Sequence, residues 1–190
     1  MLEKIRRYCP DISKDSPELT RIMEELKRRE LEGYQFEGAD GSFELLVRRC
    51  LDRIPTYFTL AYYRITGEKP YDMGQSAMAA LKVKVGDQFQ IAAGEGNGPV
   101  NALDRALRSA LKEFYPSLNS VHLVDYKVRV MDSRSATAAK VRVLITSADG
   151  SEEWTTVGVS SDIIEASWIA LSESIEYRLI HTTPATGGKA

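Results

Sequence analysis

Apolar positions along the chain change their period near residue 57, and the change divides the sequence into two textures. Before it the spacing is helical. Leu19, Ile22, Met23 and Leu26 recur three or four residues apart behind Ser16-Pro17-Glu18. Ser16 supplies a side-chain cap, and Pro17 stands at the first helical position, where its missing N–H costs no bond. Gly33 is the expected stop. A further helix is expected from Asp40 or Ser42, with Phe43, Leu45, Leu46, Val47 and Leu51 as its apolar members and Pro55 ending it. Residues 1–53 are therefore expected to form a small helical linker subdomain.

After residue 57 the spacing shortens to that of strands. Tyr57 to Ile65 is aromatic and β-branched. Gly67-Glu68-Lys69-Pro70 predicts a turn, Val83-Lys84-Val85 alternates, Gly86-Asp87 reverses the chain, and Phe89-Gln90-Ile91-Ala92-Ala93 returns. Gly94-Glu95-Gly96-Asn97-Gly98-Pro99 then leads into an amphipathic helix with Val100, Leu103, Leu107, Leu111 and Phe114 on its buried stripe, stopped by Pro116. The pattern recurs. A strand is expected over 121–130, a hairpin pairs Ala139–Ile145 with Trp154–Val159 around Asp149-Gly150, and a last helix runs from about Asp162 to Leu179. Residues 94–107 align without gaps on 158–171, matching Gly94 with Gly158, Ala102 with Ala166, Ala106 with Ala170 and Leu107 with Leu171. The segment 54–181 thus reads as an α/β (α+β) domain of two pseudo-symmetric βββα units, about 57–116 and 121–180. Their antiparallel sheets carry helices to one side, and packing the two units together is expected to close the core. The tail 182–190 is expected to be disordered.

Composition narrows the function. In 190 residues, 43% are hydrophobic and 27% charged, with a net charge of −2, which fits an ordinary soluble globular protein. No basic stripe supports nucleic-acid binding, no apolar run is long enough to cross a bilayer, and no secretory signal opens the chain. Cys9 and Cys50 stand alone in helical segments, which points to reduced thiols in a cytoplasmic protein and away from a disulfide framework or a zinc site.

The stretch Gly94–Val100 has two readings. The helix start behind it offers free N–H groups and the positive end of a dipole, where a carboxylate could dock; alternatively it is a conformationally demanding turn and nothing more. A dinucleotide loop does not fit the β-β-β-α order. In the second repeat, capping explains Ser160, Ser161 and Asp162, while the pseudo-symmetry puts the same loop where it could wall a shared pocket. No catalytic constellation is visible. His122 lies in an apolar strand and His181 is expected in the tail, and neither has a metal-ligand spacing. Asp72, Asp87 and Asp149 suit turns, and Trp154 and Trp168 suit a core or an interface.

Three ordered segments carry a resemblance. Gly33-Tyr34-Gln35-Phe36-Glu37-Gly38-Ala39-Asp40-Gly41-Ser42-Phe43-Glu44-Leu45-Leu46, the GxGNGP run Gly94–Pro99, and Val157-Gly158-Val159-Ser160-Ser161-Asp162-Ile163-Ile164-Glu165-Ala166-Ser167 resemble the C-terminal regulatory (LeuA-type dimer) domain and preceding linker of the 2-isopropylmalate synthase and citramalate synthase family. Trp154 before Thr155-Thr156-Val157-Gly158, and Ser167-Trp168 after Glu165-Ala166, look more like the long citramalate synthases.

The resemblance implies a C-terminal portion of an acetyl-CoA-dependent synthase, without the TIM barrel that carries the divalent metal and binds acetyl-CoA. On that basis no catalytic or metal residue and no cofactor is expected in this chain. Its expected partners are a second copy, as a homodimer, its own barrel in the full-length chain, and a feedback effector at the dimer interface, isoleucine or leucine. The matching positions are Gly98, Val100 and Asn101; Leu123, Tyr126 and Val130; Ala139, with the adjoining Ala138; and Asp162 and Ile163. Val100, Leu123, Val130 and Ile163 would form the apolar hole, the helix start after Gly98 would take the carboxylate, and Asp162 or backbone carbonyls the ammonium. The alternatives are a dimerisation module without an effector, an enzyme that uses the glycine-rich loop for phosphate or CoA, and, more remotely, a nucleic-acid binder.

Overall fold

The computed structural model describes residues 1–67, 76–131 and 139–182. The turn expected over Glu68–Pro70, Asp72, Ala138 and the tail beyond Thr182 lie outside the described residues. Among the described residues are five α-helices and two three-stranded antiparallel sheets. The order is α1 (Leu2–Arg6), α2 (Pro17–Glu32), α3 (Asp40–Cys50), β1 (Thr59–Gly67), β2 (Ala77–Val85), β3 (Gln88–Gly96), α4 (Pro99–Leu111), β4 (His122–Val130), β5 (Val141–Ala148), β6 (Glu153–Ser160) and α5 (Ile163–Thr182), with one 3-10 turn over Pro116–Ser120. No helix is long and apolar enough to cross a membrane among the described residues. The chain forms two compact units, one of 1–55 with 122–177, the other of 56–121 with the described residues from Arg178.

The expected βββα repeat is present residue for residue. Ala80 pairs with Ala93 in the first sheet as Leu144 pairs with Val157 in the second, and both first strands carry an irregularity after their second residue, between Leu60 and Tyr62 and between Leu123 and Asp125. The matched Gly and Ala positions have a common physical cause. A Cβ built on Gly94 would lie 2.6 Å from Ala106 N and 2.8 Å from Ala102 O. A Cβ on Gly158 would overlap Ala166 O and lie 3.0 Å from Ala170 N. In each unit the helix backbone therefore approaches the third strand closer than any side chain permits.

In the unit of 56–121, α4 buries Ala102, Leu103, Ala106, Leu107, Ala110 and Leu111 against Ala77, Ala79, Leu81 and Val83 of β2. The opposite face of this sheet is open. Tyr62, Met78, Phe89 and Ile91 are exposed there, and the Lys82 ammonium lies 4.3 Å from the Phe89 ring centroid. Tyr115 donates its hydroxyl to Tyr57 O at 2.7 Å.

The other unit is built around the β4-β5-β6 sheet. Trp154, Thr156 and Gly158 face α5: the Trp154 indole donates to Ser174 O at 3.1 Å, and Thr156 Oγ1 donates to Ala170 O at 2.7 Å. On the reverse face Val157, with Leu144 and Val159, joins one apolar core with Ile5, Ile22, Leu26, Phe36, Phe43 and Val47 of the helical segment. The helices α1–α3 thus pack with the second repeat. Arg142 Nε donates to Gly33 O at 2.8 Å across this junction.

Local sequence explains the ends of α2. Ser16 Oγ accepts Leu19 N–H at 3.2 Å, and Gly33 closes the helix at φ 110°, a left-handed conformation that suits glycine. The α3 end departs from expectation. The helix stops at Cys50, five residues before Pro55, because Asp52 turns left-handed at φ 54°.

The seam yields a test. Gly158→Ala forces a methyl into the Ala166 carbonyl, which cannot rotate away, so urea denaturation should show a loss of about 3 kcal/mol or more. A Cβ on Gly98 would meet nothing within 4 Å, and its φ of −172° is extended backbone, so Gly98→Ala should cost under about 1 kcal/mol.

Candidate functional site

The residues picked out by sequence fall into both units. In the unit of 56–121, the glycine-rich stretch is not the long loop it resembles. Gly94 and Gly96 belong to β3, and the loop shrinks to Asn97-Gly98. The glycines at 94 and 96 serve helix approach: a Cβ on Gly96 would lie 2.6 Å from Ala102 N. Gly98 is the N-cap of α4, Pro99 its first residue, and no side chain caps it. Nor is there an acidic residue in its first turn. Asn101 turns its amide back, Oδ1 accepting the Asn97 N–H at 3.3 Å, and Ser76 Oγ donates to Asn97 O at 2.8 Å. Val100 is half-buried beside them. The start of α4 thus retains its positive dipole end without a protein anion in the first turn.

In the other unit, β4 carries three of the predicted positions on the face turned towards α5. Leu123, Tyr126 and Val130 are register partners of Ser147, Ile145 and Val141. Leu123 is half-buried, whereas Tyr126 is 39% and Val130 55% exposed. Val128, between them, is also exposed. The helix covers β5 and β6 and leaves this part of β4 open. Tyr126 is therefore no core residue. Its hydroxyl is tied to Ser167 Oγ of α5 at 2.9 Å, and Ser167 in turn bonds Ile163 O at 2.7 Å. This chain draws Tyr126 and Ile163 to one place. Ser167 was not foreseen; in a helix its hydroxyl reads as an internal back-bond, and only the fold supplies Tyr126.

Asp162 behaves as the capping reading expects: Oδ1 accepts Ile164 N–H at 2.7 Å, and its own N–H donates to Ser160 Oγ at 3.1 Å. Ile163 opens α5 and is exposed. Ala139 is buried just before β5, where Met131 N–H donates to Lys140 O at 2.9 Å. Of the remaining candidates, Trp154 is buried and Trp168 half-buried, His122 begins β4 at an exposed position, and His181 lies in the last turn of α5, not in a tail. Asp149 shapes its turn, accepting Ser151 N–H at 2.9 Å and Glu152 N–H at 3.0 Å. Among the described residues no group of three or more His, Cys, Asp or Glu side chains could hold a metal ion.

A hollow of about 550 Å³ in the helical segment is a feature the sequence did not announce. Arg21, Arg28 and Arg29 of α2 and Arg49 of α3 line it, together with Glu25, Asp52 and, from α5, Glu173. These charges are largely satisfied within it: Arg28 and Arg29 hold Glu25, whose carboxyl the Arg28 hydrogen bond draws down to about 2.

Residues 37–179 match the LeuA allosteric (dimerisation) domain. The chain is 45% identical over 181 residues to the (R)-citramalate synthase of Aquifex aeolicus, covering 95% of this chain and 34% of that protein. It is 44% identical over 190 residues to the (R)-citramalate synthase of Geobacter sulfurreducens, covering 100% and 36%, and 43% identical over 185 residues to that of Synechocystis, covering 94% and 34%. It spans about a third of the length of these relatives. The matched region takes in α3, both sheets, α4 and nearly all of α5, the elements that carry the Gly–Ala seams and every predicted effector position, and on this the chain belongs to the LeuA allosteric (dimerisation) domain family.

Proposed function

We propose that this chain is the regulatory, dimer-forming portion of a citramalate synthase and that it binds a branched-chain amino acid, isoleucine ahead of leucine. On this reading the catalytic barrel, with its divalent metal and acetyl-CoA, belongs to the rest of a longer cytoplasmic polypeptide, and this portion carries neither cofactor nor catalytic group. The observation that carries the reading is the uncovered apolar wall of Tyr126, Val128, Val130 and Ile163, fixed in place by the Tyr126–Ser167 hydrogen bond. An aliphatic side chain laid on such a wall gains about 2–3 kcal/mol from burial. Selection between isoleucine and leucine must then come from the shape of the wall.

The other unit, 56–121, offers a separate feature of its own, the start of α4. The first turn of α4 at Gly98, Val100 and Asn101 has neither a side-chain cap nor an acid, which suits a carboxylate. Leu123 and Ala139 complete the apolar set. Asp162 already caps α5 with one oxygen, so the ammonium is assigned to its second oxygen or to backbone carbonyls. A second reading, dimerisation without an effector, is favoured by the same exposed wall, since a second copy could cover it.

Calorimetric titration separates the two. Isoleucine should release or take up heat with a stoichiometry of about one per chain or one per dimer, with leucine and valine weaker; a folded dimer that gives no heat with any of the three leaves dimerisation alone. Tyr126→Phe removes the bond to Ser167 and should lower isoleucine affinity about three- to tenfold, equivalent to roughly 0.5–1.5 kcal/mol. Because Tyr126 is 39% exposed, the melting temperature of the ligand-free chain should hardly move.

A further inference from the structure

A polar cluster, buried at Ser42 and opening to solvent at Arg49, joins α3 to α5 and β6, and neither the sheet packing nor the proposed ligand site uses it. Ser42, in the first turn of α3, is 2% exposed. Its Oγ accepts the Val157 N–H at 2.8 Å, so it occupies the outer edge of β6, and donates to Glu173 Oε2 on α5. Arg49 Nη1, two turns further along α3, donates to Glu173 Oε1 at 2.6 Å, and Nη2 reaches Glu176. Gly41 makes the approach possible, since a Cβ there would lie 2.9 Å from Thr155 O. Burial pushes the Glu173 carboxyl up, while Arg49 and Ser42 oppose that shift.

Apolar contacts between a helix and a sheet can slide by a fraction of a residue at small cost. A carboxylate as enclosed as that of Glu173, whose side chain is 12% exposed, resists such sliding, because losing a partner leaves it unpaired. The cluster therefore fixes α3, β6 and α5 at one point. Ten residues separate Glu173 from Ile163, or about 15 Å of continuous helix.

We propose that Ser42, Glu173 and Arg49 form a joint that makes α3 and α5 move as one body, so that a displacement of the first turn of α5 is delivered to the helical linker. Its use as a relay rests on the ligand reading above; the joint itself does not. Glu173 and Ser42 are positioning residues, and they touch no ligand.

Amide hydrogen exchange on the whole 190-residue chain tests the joint without ligand. In the wild type, α3 and residues 163–177 of α5 should open together with equal protection. In Glu173→Gln, and in the smaller change Ser42→Ala should the first variant fold poorly, α3 should exchange at least tenfold faster while α5 keeps its protection. A purely structural role lowers both together. Unequal protection in the wild type, or parallel acceleration in the variants, overturns the joint. With ligand, saturating isoleucine should slow α3 exchange in the wild type but not in Glu173→Gln, whose calorimetric affinity should stay within threefold. Isoleucine binding that leaves wild-type α3 unchanged overturns the relay. A wild-type chain that gives no heat with isoleucine overturns the ligand reading, and the ligand-free comparison still decides the joint.

Discussion

Everything in this fold that bears on function depends on how closely two backbones can approach. In each βββα unit a glycine in the third strand meets two alanines, one turn apart, on the helix that follows: Gly94 with Ala102 and Ala106, Gly158 with Ala166 and Ala170. The third strand and the helix are joined by only two residues each, Asn97-Gly98 and Ser161-Asp162. A connection that short leaves the helix axis little choice, and any Cβ at the strand glycine pushes the helix start outward. The first turns of α4 and α5, where Gly98, Val100, Asn101 and Ile163 lie, inherit their positions from this packing. A small-residue seam of this kind also resists adaptation, because its contacts are backbone to backbone and contain no rotamers that can relax.

The repeat and its hairpins were legible because their signals are local. Gly86-Asp87 and Asp149-Gly150 reverse the chain, alternation marks the strands, and the gap-free match between the two helix starts betrays the duplication. The same glycines misled on the loop. Gly94 and Gly96 read as part of a docking loop or a demanding turn, whereas they are strand residues shaped by α4, and sequence alone does not distinguish a glycine that turns from one that makes room. The partnership of the helical segment with the second repeat was also hidden. Alternation shows that Leu144, Val157 and Val159 face one way but not what covers them, and the answer, Phe36, Phe43 and Val47, lies about a hundred residues upstream. The positions of the candidate site came from the family resemblance, since a Leu, Val or Tyr in a strand does not by its type mark a ligand wall. Ser167 and the Ser42–Glu173–Arg49 cluster did not stand out, since a serine or glutamate inside a helix carries no mark of its distant partner.

The two sheets share a design but differ in their surroundings. The second sheet is covered on both faces, by α5 on one and by the helical segment on the other, and its exposed apolar surface is confined to β4. That is where sensing is proposed: a rigid unit with one uncovered strand, carrying Tyr126 on a bond to the first turns of α5. A ligand seated there touches the same body that holds the linker, so the shortest route for a signal needs no rearranged core. Allostery in this scheme is a difference in ligand affinity between two arrangements of that body and its partner.

Ligand and dimer share a surface in this scheme, and sedimentation equilibrium of the chain with and without saturating isoleucine tests that sharing most directly. A ligand that binds the dimer better than the monomer must tighten the dimer by the same factor. The dimer dissociation constant is expected to fall tenfold or more when isoleucine is present. An unchanged constant, with isoleucine bound equally well by monomer and dimer, would contradict the shared surface.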